Sequence, residues 1–246
     1  MKEQLKSLVR SVRNGVIDLS YAEQLSHVSS ALSMVDYLTV LFSNYIDLEK
    51  DKLVIGKPFG GQTYHVIFQH LIPGYKIAEE NKMIISCLTK IVAYTEETLS
   101  NSLSAACGIA LTTENNVFVN ISDAQLQSGF FWEGCLFAGA KKQKNIILAV
   151  DYNDMQCLGT VESVMSLEPI QDKFEAFGWD AYICDGSNIE DMLSTFNSAF
   201  EERDKPVALI MLTKKGYGVE GMEDVCSSHS KPLTEKQYRE YYEKNI

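Results

Sequence analysis

Two polar residues, Asp123 and Asn153, each follow an apolar run of the sequence and could together hold a metal ion. The runs are VFVNI at 117–121 and IILAVD at 146–151. Mg²⁺ prefers hard oxygen atoms, and one or two such protein groups often hold it together with substrate phosphates. Asp and Asn are equally common where a strand ends in a turn or a helix begins. Taken alone, the pair leaves a metal site and an ordinary turn both open.

The elements around this pair predict an α/β fold, an open parallel sheet with helices on both faces. Apolar runs without polar alternation, separated by helical patterns, are typical of parallel strands covered on both sides. The predicted strands are 117–121, 146–151, 179–184 and 207–212, and the predicted helices between them lie around 129–143, 168–177 and 188–202. Ligands of such sheets bind at the carboxyl ends of the strands, so Asp123 and Asn153 are expected to face one crevice.

The upstream half of the sequence predicts helices and a glycine-rich loop. Apolar spacing and small side chains predict helices over about 5–19, 33–45 and 99–111, and a short strand within 53–61 that breaks into the loop. The helix of small side chains is expected to be buried against another backbone. With no repeat, low-complexity tract or linker, residues 1–246 are predicted to form one domain that begins with a helical segment over 1–50.

Composition and charge exclude several functional classes. The 246 residues carry a formal net charge of −11, which argues against general nucleic-acid binding because phosphate contacts require clustered Lys and Arg. No apolar run is long enough to cross a bilayer, and the N-terminus lacks the features of a secretory signal. The six cysteines form no CxxC pair, so we expect reduced thiols in a cytoplasmic protein and no zinc site.

Longer segments around the Asp123–Asn153 pair resemble the cofactor-binding half of transketolase, a thiamine-diphosphate enzyme. The family has GDG after a strand, a Trp-Glu helix, and Asn after the next strand; here the region reads SDAQLQSGFFWEGCLFAGAKKQKNIILAVDYNDMQCLG. Similar segments are EPIQDKFEAFGWDAYICDG (168–186), KPVALIMLTKKGYGVEGMEDVCSSHSKPL (205–233) and SHVSSALSMVDYLTVLF (26–42). The resemblance covers about residues 10–235 and implies a thiamine-diphosphate-binding fold of the diphosphate-binding type.

The resemblance implies a metal and diphosphate site. Mg²⁺, or Ca²⁺ or Mn²⁺ in its place, would be held by Asp123, the Asn153 side chain and the Met155 carbonyl. The Ala124 amide would face the diphosphate, and Lys215 matches a family position near it. Without the resemblance, Lys215 in KKGYG would be interpreted as a solvated turn residue.

The resemblance also implies contacts to the cofactor rings and to the substrate. His229 would lie near the diphosphate, Leu99 and Cys157 against the cofactor rings, and His27 at the hydroxyl end of the substrate. His27 and His229 are therefore the candidate catalytic residues. Judged singly, His229 belongs to a polar loop and His27 could cap a helix. Because His27 and His229 match the family pattern together with Asp123 and Asn153, in the same order along the chain, the functional interpretation is favoured.

The sequence departs from the family pattern at several positions. Ser122 and Ala124 replace both glycines of GDG, which weakens diphosphate binding in principle, although Ala124 can still offer its amide if its φ is negative. The other replaced features are a diphosphate-contacting histidine at Phe59, the glycines of a GPLGQG-type segment at ETLSNS (97–102), an interface glutamate at Ser128, and a substrate-contacting histidine expected between about 75 and 95. Binding of an ordinary sugar phosphate is therefore expected to be weakened.

The leading hypothesis is the N-terminal subunit of a split transketolase-like enzyme that transfers a two-carbon ketol unit through thiamine diphosphate. The resemblance implies a pyrimidine-binding domain on a separate chain, with two copies of each chain, and a small-molecule ketol donor. Because sugar recognition is eroded, a non-sugar acceptor in a specialised biosynthetic pathway is expected.

Two other hypotheses stay open. The chain could be a catalytically silent scaffold or regulatory subunit that keeps the fold and pairs with an active partner. It could also be an unrelated Mg²⁺-dependent phosphoryl-transfer enzyme, although the absence of a GxxxxGK[ST] loop removes the P-loop version.

Overall fold

The computed structural model describes residues 2–77, 82 and 91–245 and has an α/β architecture. Within these residues the strands are β1 Lys52–Ile55, β2 Val92–Thr95, β3 Val117–Ser122, β4 Ile146–Tyr152, β5 Asp180–Asp185 and β6 Val207–Leu212. The helices in the same part of the chain are α1 Lys2–Ala22, α2 Val28–Leu32, α3 Val35–Asn44, α4 Gly61–Leu71, α5 Ser102–Ala110, α6 Gly129–Ala140, α7 Val161–Val164, α8 Ile170–Ala176, α9 Ile189–Phe200 and α10 Glu235–Asn245. Short 3₁₀ turns cover Asp123–Gln127 and Cys226–Ser228.

The strands form one sheet in the order β2-β1-β3-β4-β6-β5, and all its pairings are parallel. The four strands predicted downstream of residue 116 are confirmed within one residue at each end, and the short strand within 53–61 is confirmed as β1. The sequence pattern does not predict β2. It is a four-residue edge strand that is only partly buried, so its sequence shows no continuous apolar run.

Helices cover both faces of the sheet, as predicted. Successive β3 residues point to opposite sides: Phe118 joins a core with Leu38 of α3, while Val119 joins a second core with Cys135 of α6 and Phe174 of α8. The strands are apolar throughout because neither face is left to solvent. The predicted parallel, doubly covered architecture is therefore confirmed.

The small residues of α5 allow α6 to pack closely against it. Cys107 of α5 donates its thiol to the carbonyl of Gly134 on α6, with 3.7 Å between sulfur and oxygen. A Cβ at Gly134 would lie 3.2 Å from the side chains of Leu103 and Ser104, tighter than ordinary van der Waals contact. The close approach expected from the small side chains is confirmed, although Leu111 at the end of α5 is exposed.

Arg13 of α1 braces two segments that lead to the candidate site. It pairs with Asp36 of α3 and donates hydrogen bonds to the carbonyls of Leu32 (3.3 Å) and Tyr217 (2.7 Å). Both charged side chains are buried, so each satisfies the other away from water. The end of α2 and the segment after Lys215 are thereby fixed relative to each other.

None of the helices within residues 2–77 and 91–245 is both long enough and apolar enough to span a bilayer.

Candidate functional site

A cavity of about 340 Å³ opens at the carboxyl ends of β3 and β4. These strands pair in register with Ser122 opposite Asp151, so the loops that follow them leave the sheet at the same edge. The cavity is lined by all nine residues that the resemblance selected: His27, Leu99, Asp123, Ala124, Asn153, Met155, Cys157, Lys215 and His229. Residues from distant parts of the sequence therefore meet at one crevice, where ligands of parallel sheets bind.

Asp123 begins the 3₁₀ turn after β3 and is almost fully buried, with 2% of its surface exposed. Its Oδ2 atom has no hydrogen-bond partner. Burial, followed by the charge of Asp151, raises the pKa of Asp123 to about 7, and the nearby Lys57, the Ala124 amide and Lys215 only partly oppose this. A buried carboxylate oxygen without a partner is costly and is a fitting ligand for a cation.

Asn153 and Met155, the other predicted metal ligands, lie in the loop after β4. The Asn153 Oδ1 atom accepts a hydrogen bond from the Met155 amide at 3.1 Å, and its Nδ2 donates to Asp151 at 2.8 Å. The Met155 carbonyl accepts a hydrogen bond from the Lys215 ammonium at 2.7 Å. One carboxylate with two neutral oxygen atoms matches the chemistry of a Mg²⁺ site, so the residues present fit this metal. In the part of the chain that the structure describes, no three His, Cys, Asp or Glu side chains converge on a metal position.

Lys57, which lines the cavity, forms a buried ion pair with Asp151 that the sequence does not predict. Asp151 is fully buried and also accepts hydrogen bonds from Ser33 at 2.7 Å and Thr213 at 2.5 Å. Lys57 donates as well to the carbonyl of Ser30 at 3.0 Å. In the sequence, Asp151 is only a carboxylate at the end of an apolar strand. This pattern does not distinguish a buried ion pair from an ordinary strand end.

Lys215 is buried, with 1% of its surface exposed, so its interpretation as a solvated turn residue is wrong. Its ammonium lies 2.6 Å from Nδ1 of His229. Because an ammonium can only donate, Nδ1 must accept and the ring proton must lie on Nε2. Burial and the charge of Lys57 lower the pKa of Lys215 to about 8. Burial, then Lys215, lowers the pKa of His229 to about 4, so this imidazole is a neutral Nε2–H donor at pH 7.

We expect the Lys215→Met variant to raise the pKa of His229 from about 4 towards the ordinary 6.5, because it removes the cation that opposes imidazole protonation. The rise should be partial, since burial is the larger cause. The lowered pKa also means that His229 contributes stability that is present above pH 6.5 and lost as the pH falls through about 4. Titration of the histidine ring resonances by NMR measures the pKa of His229 in the wild type and in the variant. The matched control is Lys214→Met, an exposed neighbour. An unchanged His229 midpoint in Lys215→Met would contradict the assignment.

His27 lies at the N-terminus of α2 but does not cap it with its side chain. Its Nδ1 atom lies 2.9 Å from the hydroxyl of Ser26, and its ring stacks on Phe59 with centroids 4.8 Å apart. The His229 ring meets it edge-on at 5.2 Å. Burial, followed by Lys215, lowers the pKa of His27. Phe59, at the position where the resemblance implies a family histidine, forms an apolar wall of the cavity.

The two replacements in the GDG position cause no backbone strain. Ser122 has φ −108° and ψ 165°, and among the described residues Ala124 is not one of those with positive φ. Ala124 therefore has the backbone conformation that lets its amide face a diphosphate. Ser128 starts α6 in an extended conformation. The region 75–95, where a further family histidine is missing, is described only at 75–77, 82 and 91–95.

Ser100 keeps a glycine-like conformation in the segment that has lost its family glycines. Its φ is +106°, and its amide donates to the buried Glu96 at 3.0 Å. Glu96 also accepts a hydrogen bond from Gln125 of the 3₁₀ turn at 3.0 Å. These contacts link Leu99 to the turn that carries Asp123, although the backbone at Ser100 is strained.

We expect Ser100→Gly to stabilise the fold by about 1 kcal/mol, because relief of the positive φ outweighs the added chain entropy. Denaturant unfolding, followed by circular dichroism, measures the change. Ser104→Gly, the same substitution inside α5, is the matched control and should destabilise by about 0.5 kcal/mol. Destabilisation by both variants would show that Ser100 is not strained.

Comparison with known proteins gives consistent matches. The sequence model of the family "Transketolase, thiamine diphosphate binding domain" matches residues 87–245. The 6-deoxy-6-sulfo-D-fructose transketolase subunit SqwG of Clostridium sp. (strain MSTE9) is 28% identical, over 87% of this chain and 86% of that protein. An apulose-4-phosphate transketolase subunit from Phocaeicola vulgatus is 27% identical, over 93% of this chain and 89% of that protein.

Solved structures show the same fold. Transketolase from Leishmania mexicana superposes with a TM-score of 0.84 and 17% identity, covering 99% of this chain and 41% of that one. The chain thus spans less than half the length of that solved relative.

Proposed function

The chain belongs to the transketolase family through its thiamine-diphosphate-binding domain, and we propose that it is the diphosphate- and metal-binding subunit of a split transketolase-like enzyme. The enzyme transfers a two-carbon ketol unit from a small-molecule donor to an acceptor. One observation carries the proposal: the nine residues selected from the sequence line one cavity around a buried carboxylate oxygen that has no partner.

The metal end of the site is assigned to Asp123, the Asn153 side chain and the Met155 carbonyl. Thiamine diphosphate supplies a nucleophilic carbon and stabilises the carbanion that remains after carbon–carbon cleavage. The Lys215 ammonium, now on the Met155 carbonyl, is placed to neutralise diphosphate charge. His229 would offer its Nε2–H to the diphosphate without carrying a charge of its own.

The rest of the cavity is assigned to the cofactor rings and the substrate. Leu99, half exposed, and Cys157 offer surface for the rings, and His27 faces the substrate. The stacking of His27 on Phe59 leaves an apolar wall where the family has a second histidine. This wall supports an acceptor other than an ordinary sugar phosphate.

A partner subunit is supported by an apolar surface on α5 and α6. Its large side chains are exposed by 41–65%: Leu111, Phe130, Leu136 and Phe137. A groove of about 330 Å³ lies between the two helices and includes Leu111 and Phe137. Large exposed apolar side chains beside a groove are typical of protein interfaces. We assign the surface to a pyrimidine-binding subunit, with two copies of each chain in the assembly.

Calorimetry tests the proposal on the chain co-purified with a pyrimidine-binding subunit. Thiamine diphosphate should bind only when Mg²⁺ is present, and the complex should release a two-carbon unit from a ketose donor. A complex that assembles but neither binds the cofactor nor turns over would support the silent scaffold. Hydrolysis of a phosphoester by this chain alone would support a phosphoryl-transfer enzyme instead.

A further inference from the structure

Two cysteines meet at the rim of the cavity. The Cys226 sulfur lies 3.0 Å from the carbonyl oxygen of Cys157 and 3.4 Å from that of Gln156. Cys157 is exposed and lines the cavity in the loop after β4. Cys226 is partly exposed and begins the 3₁₀ turn that ends just before His229. The two thiols thus come from the two segments that flank the candidate cofactor site.

The contact places the Cys226 sulfur beside the backbone of Cys157. A residue's carbonyl oxygen lies only about 2.4 Å from its own Cα, so the Cys226 sulfur lies within about 5.4 Å of the Cys157 Cα atom. A disulfide requires Cα atoms roughly 4.4–6.8 Å apart, so the bond closes only when the Cys157 side chain turns towards the Cys226 sulfur. Cys157 lies beside Leu158, which is 86% exposed, in a turn closed by the hydrogen bond from the Gln156 amide to Gly159 at 2.8 Å. Cys157 is itself exposed, so its side chain has room to rotate.

The other described thiols lack this combination of access and pairing. Cys107, Cys135 and Cys184 are buried, and burial raises the pKa of each thiol. Reaction with an oxidant requires an accessible thiolate, so these three are poor competitors. Cys87 lies outside the described residues.

We propose that Cys157 and Cys226 form a reversible redox-modification site at the cofactor cavity, oxidised by a hydroperoxide. The Cys157 thiolate attacks one peroxide oxygen, the O–O bond breaks, and a sulfenic acid and hydroxide result. The Cys226 thiolate then attacks the Cys157 sulfur, the S–S bond forms and a second hydroxide leaves. Two thiols are oxidised by two electrons in total, and hydrogen peroxide is reduced to two water molecules. A dithiol reductant restores both thiols.

The disulfide would change the candidate site through its two flanking segments. It joins the loop of Asn153 and Met155 covalently to the turn before His229. It also turns the Cys157 side chain away from the position assigned to the cofactor rings. Resting on the proposed function, the oxidised chain should bind thiamine diphosphate at least about tenfold more weakly, and reductant should restore the affinity.

The first test uses the full chain with its partner subunit. The reduced protein is treated with stoichiometric hydrogen peroxide, digested without reduction and analysed by mass spectrometry. We expect a peptide pair joined through Cys157 and Cys226, absent in Cys226→Ser and retained in the control Cys184→Ala. Saturating thiamine diphosphate and Mg²⁺ should slow its formation. No joined pair, sulfinic acid at Cys157 without a disulfide, or a bond to Cys87 would overturn the proposal.

The second readout separates this proposal from the proposed function. Cofactor affinity is measured on reduced, oxidised and re-reduced protein. Cys226→Ser should bind as the reduced wild type does and resist peroxide. A disulfide that leaves the affinity unchanged would overturn its assigned effect on the site. If reduced protein binds no cofactor, the proposed function fails, whereas the disulfide itself is still decided by the mass spectra.

Discussion

Asp123→Asn is expected to remove Mg²⁺-dependent binding of thiamine diphosphate while making the metal-free chain more stable. The substitution keeps the shape of the side chain but removes the carboxylate among the assigned ligands. Loss of such a buried charge pairing costs roughly 3 kcal/mol or more, which is about a 100-fold loss of affinity. Calorimetry with and without Mg²⁺, on the chain with its partner subunit, measures the loss. Binding that is retained and still depends on Mg²⁺ would remove Asp123 from the metal site.

The expected gain in stability follows from the raised pKa of Asp123. A carboxyl whose pKa is raised on folding contributes stability that is fully present below its unfolded pKa, near 4, and lost as the pH rises through about 7. Ionisation therefore destabilises the metal-free fold above pH 7, by up to about 4 kcal/mol on the standard conversion. Asp123→Asn removes this penalty, so its advantage over wild type should grow between pH 5 and 8.

Thermal unfolding of metal-free protein across that pH range tests the stability half of the prediction. Asp204→Asn, at an exposed carboxylate in a loop, is the matched control and should change stability by less than about 0.5 kcal/mol. An Asp123→Asn chain that is less stable than wild type at pH 8 would show that Asp123 has a partner in the folded protein. Cofactor binding and metal-free stability, measured together, show whether Asp123 binds a ligand or stabilises the fold.

Lys57→Met is expected to destabilise the fold by about 3–5 kcal/mol, because it leaves the fully buried Asp151 carboxylate without its cation. The hydroxyls of Ser33 and Thr213 continue to donate to it but bring no charge. Denaturant unfolding of the purified variant measures the loss. A cost below about 1 kcal/mol, the range of exposed pairs, would mean that the ion pair is not formed in solution.

An exposed lysine–aspartate pair provides the matched control. Lys50 and Asp47 are 2.9 Å apart, with side chains 69% and 44% exposed, so Lys50→Met should leave the stability almost unchanged. The double variant Lys57→Met/Asp151→Asn removes both charges and should recover part of the loss. Together with the single variant Asp151→Asn, these proteins form a cycle that isolates the coupling between Lys57 and Asp151 from the separate cost of each substitution.

Local patterns along the chain are enough to predict the architecture and the edge of the sheet at which Asp123 and Asn153 lie, whereas the other seven residues of the candidate site come from the family resemblance. Apolar runs without alternation predict β3 to β6, because strands buried on both faces need no polar face. The positions of Asp123 and Asn153 after two of these strands place them at one edge of the sheet. These properties follow from local periodicity and from the order of elements along the chain.

The burial and the partners of the polar groups, in contrast, emerge only once the chain is folded. Lys215 stands in a glycine-rich segment typical of a turn, yet contacts from the loop after β4 and from His229 remove it from water. Lys57 and Asp151 meet across 94 residues, and neither has a local signal for the other. Burial and pairing depend on what packs against a residue from distant parts of the chain, and a linear pattern contains no such distances. For the same reason, the unpartnered Oδ2 atom of Asp123 is a property of the folded chain.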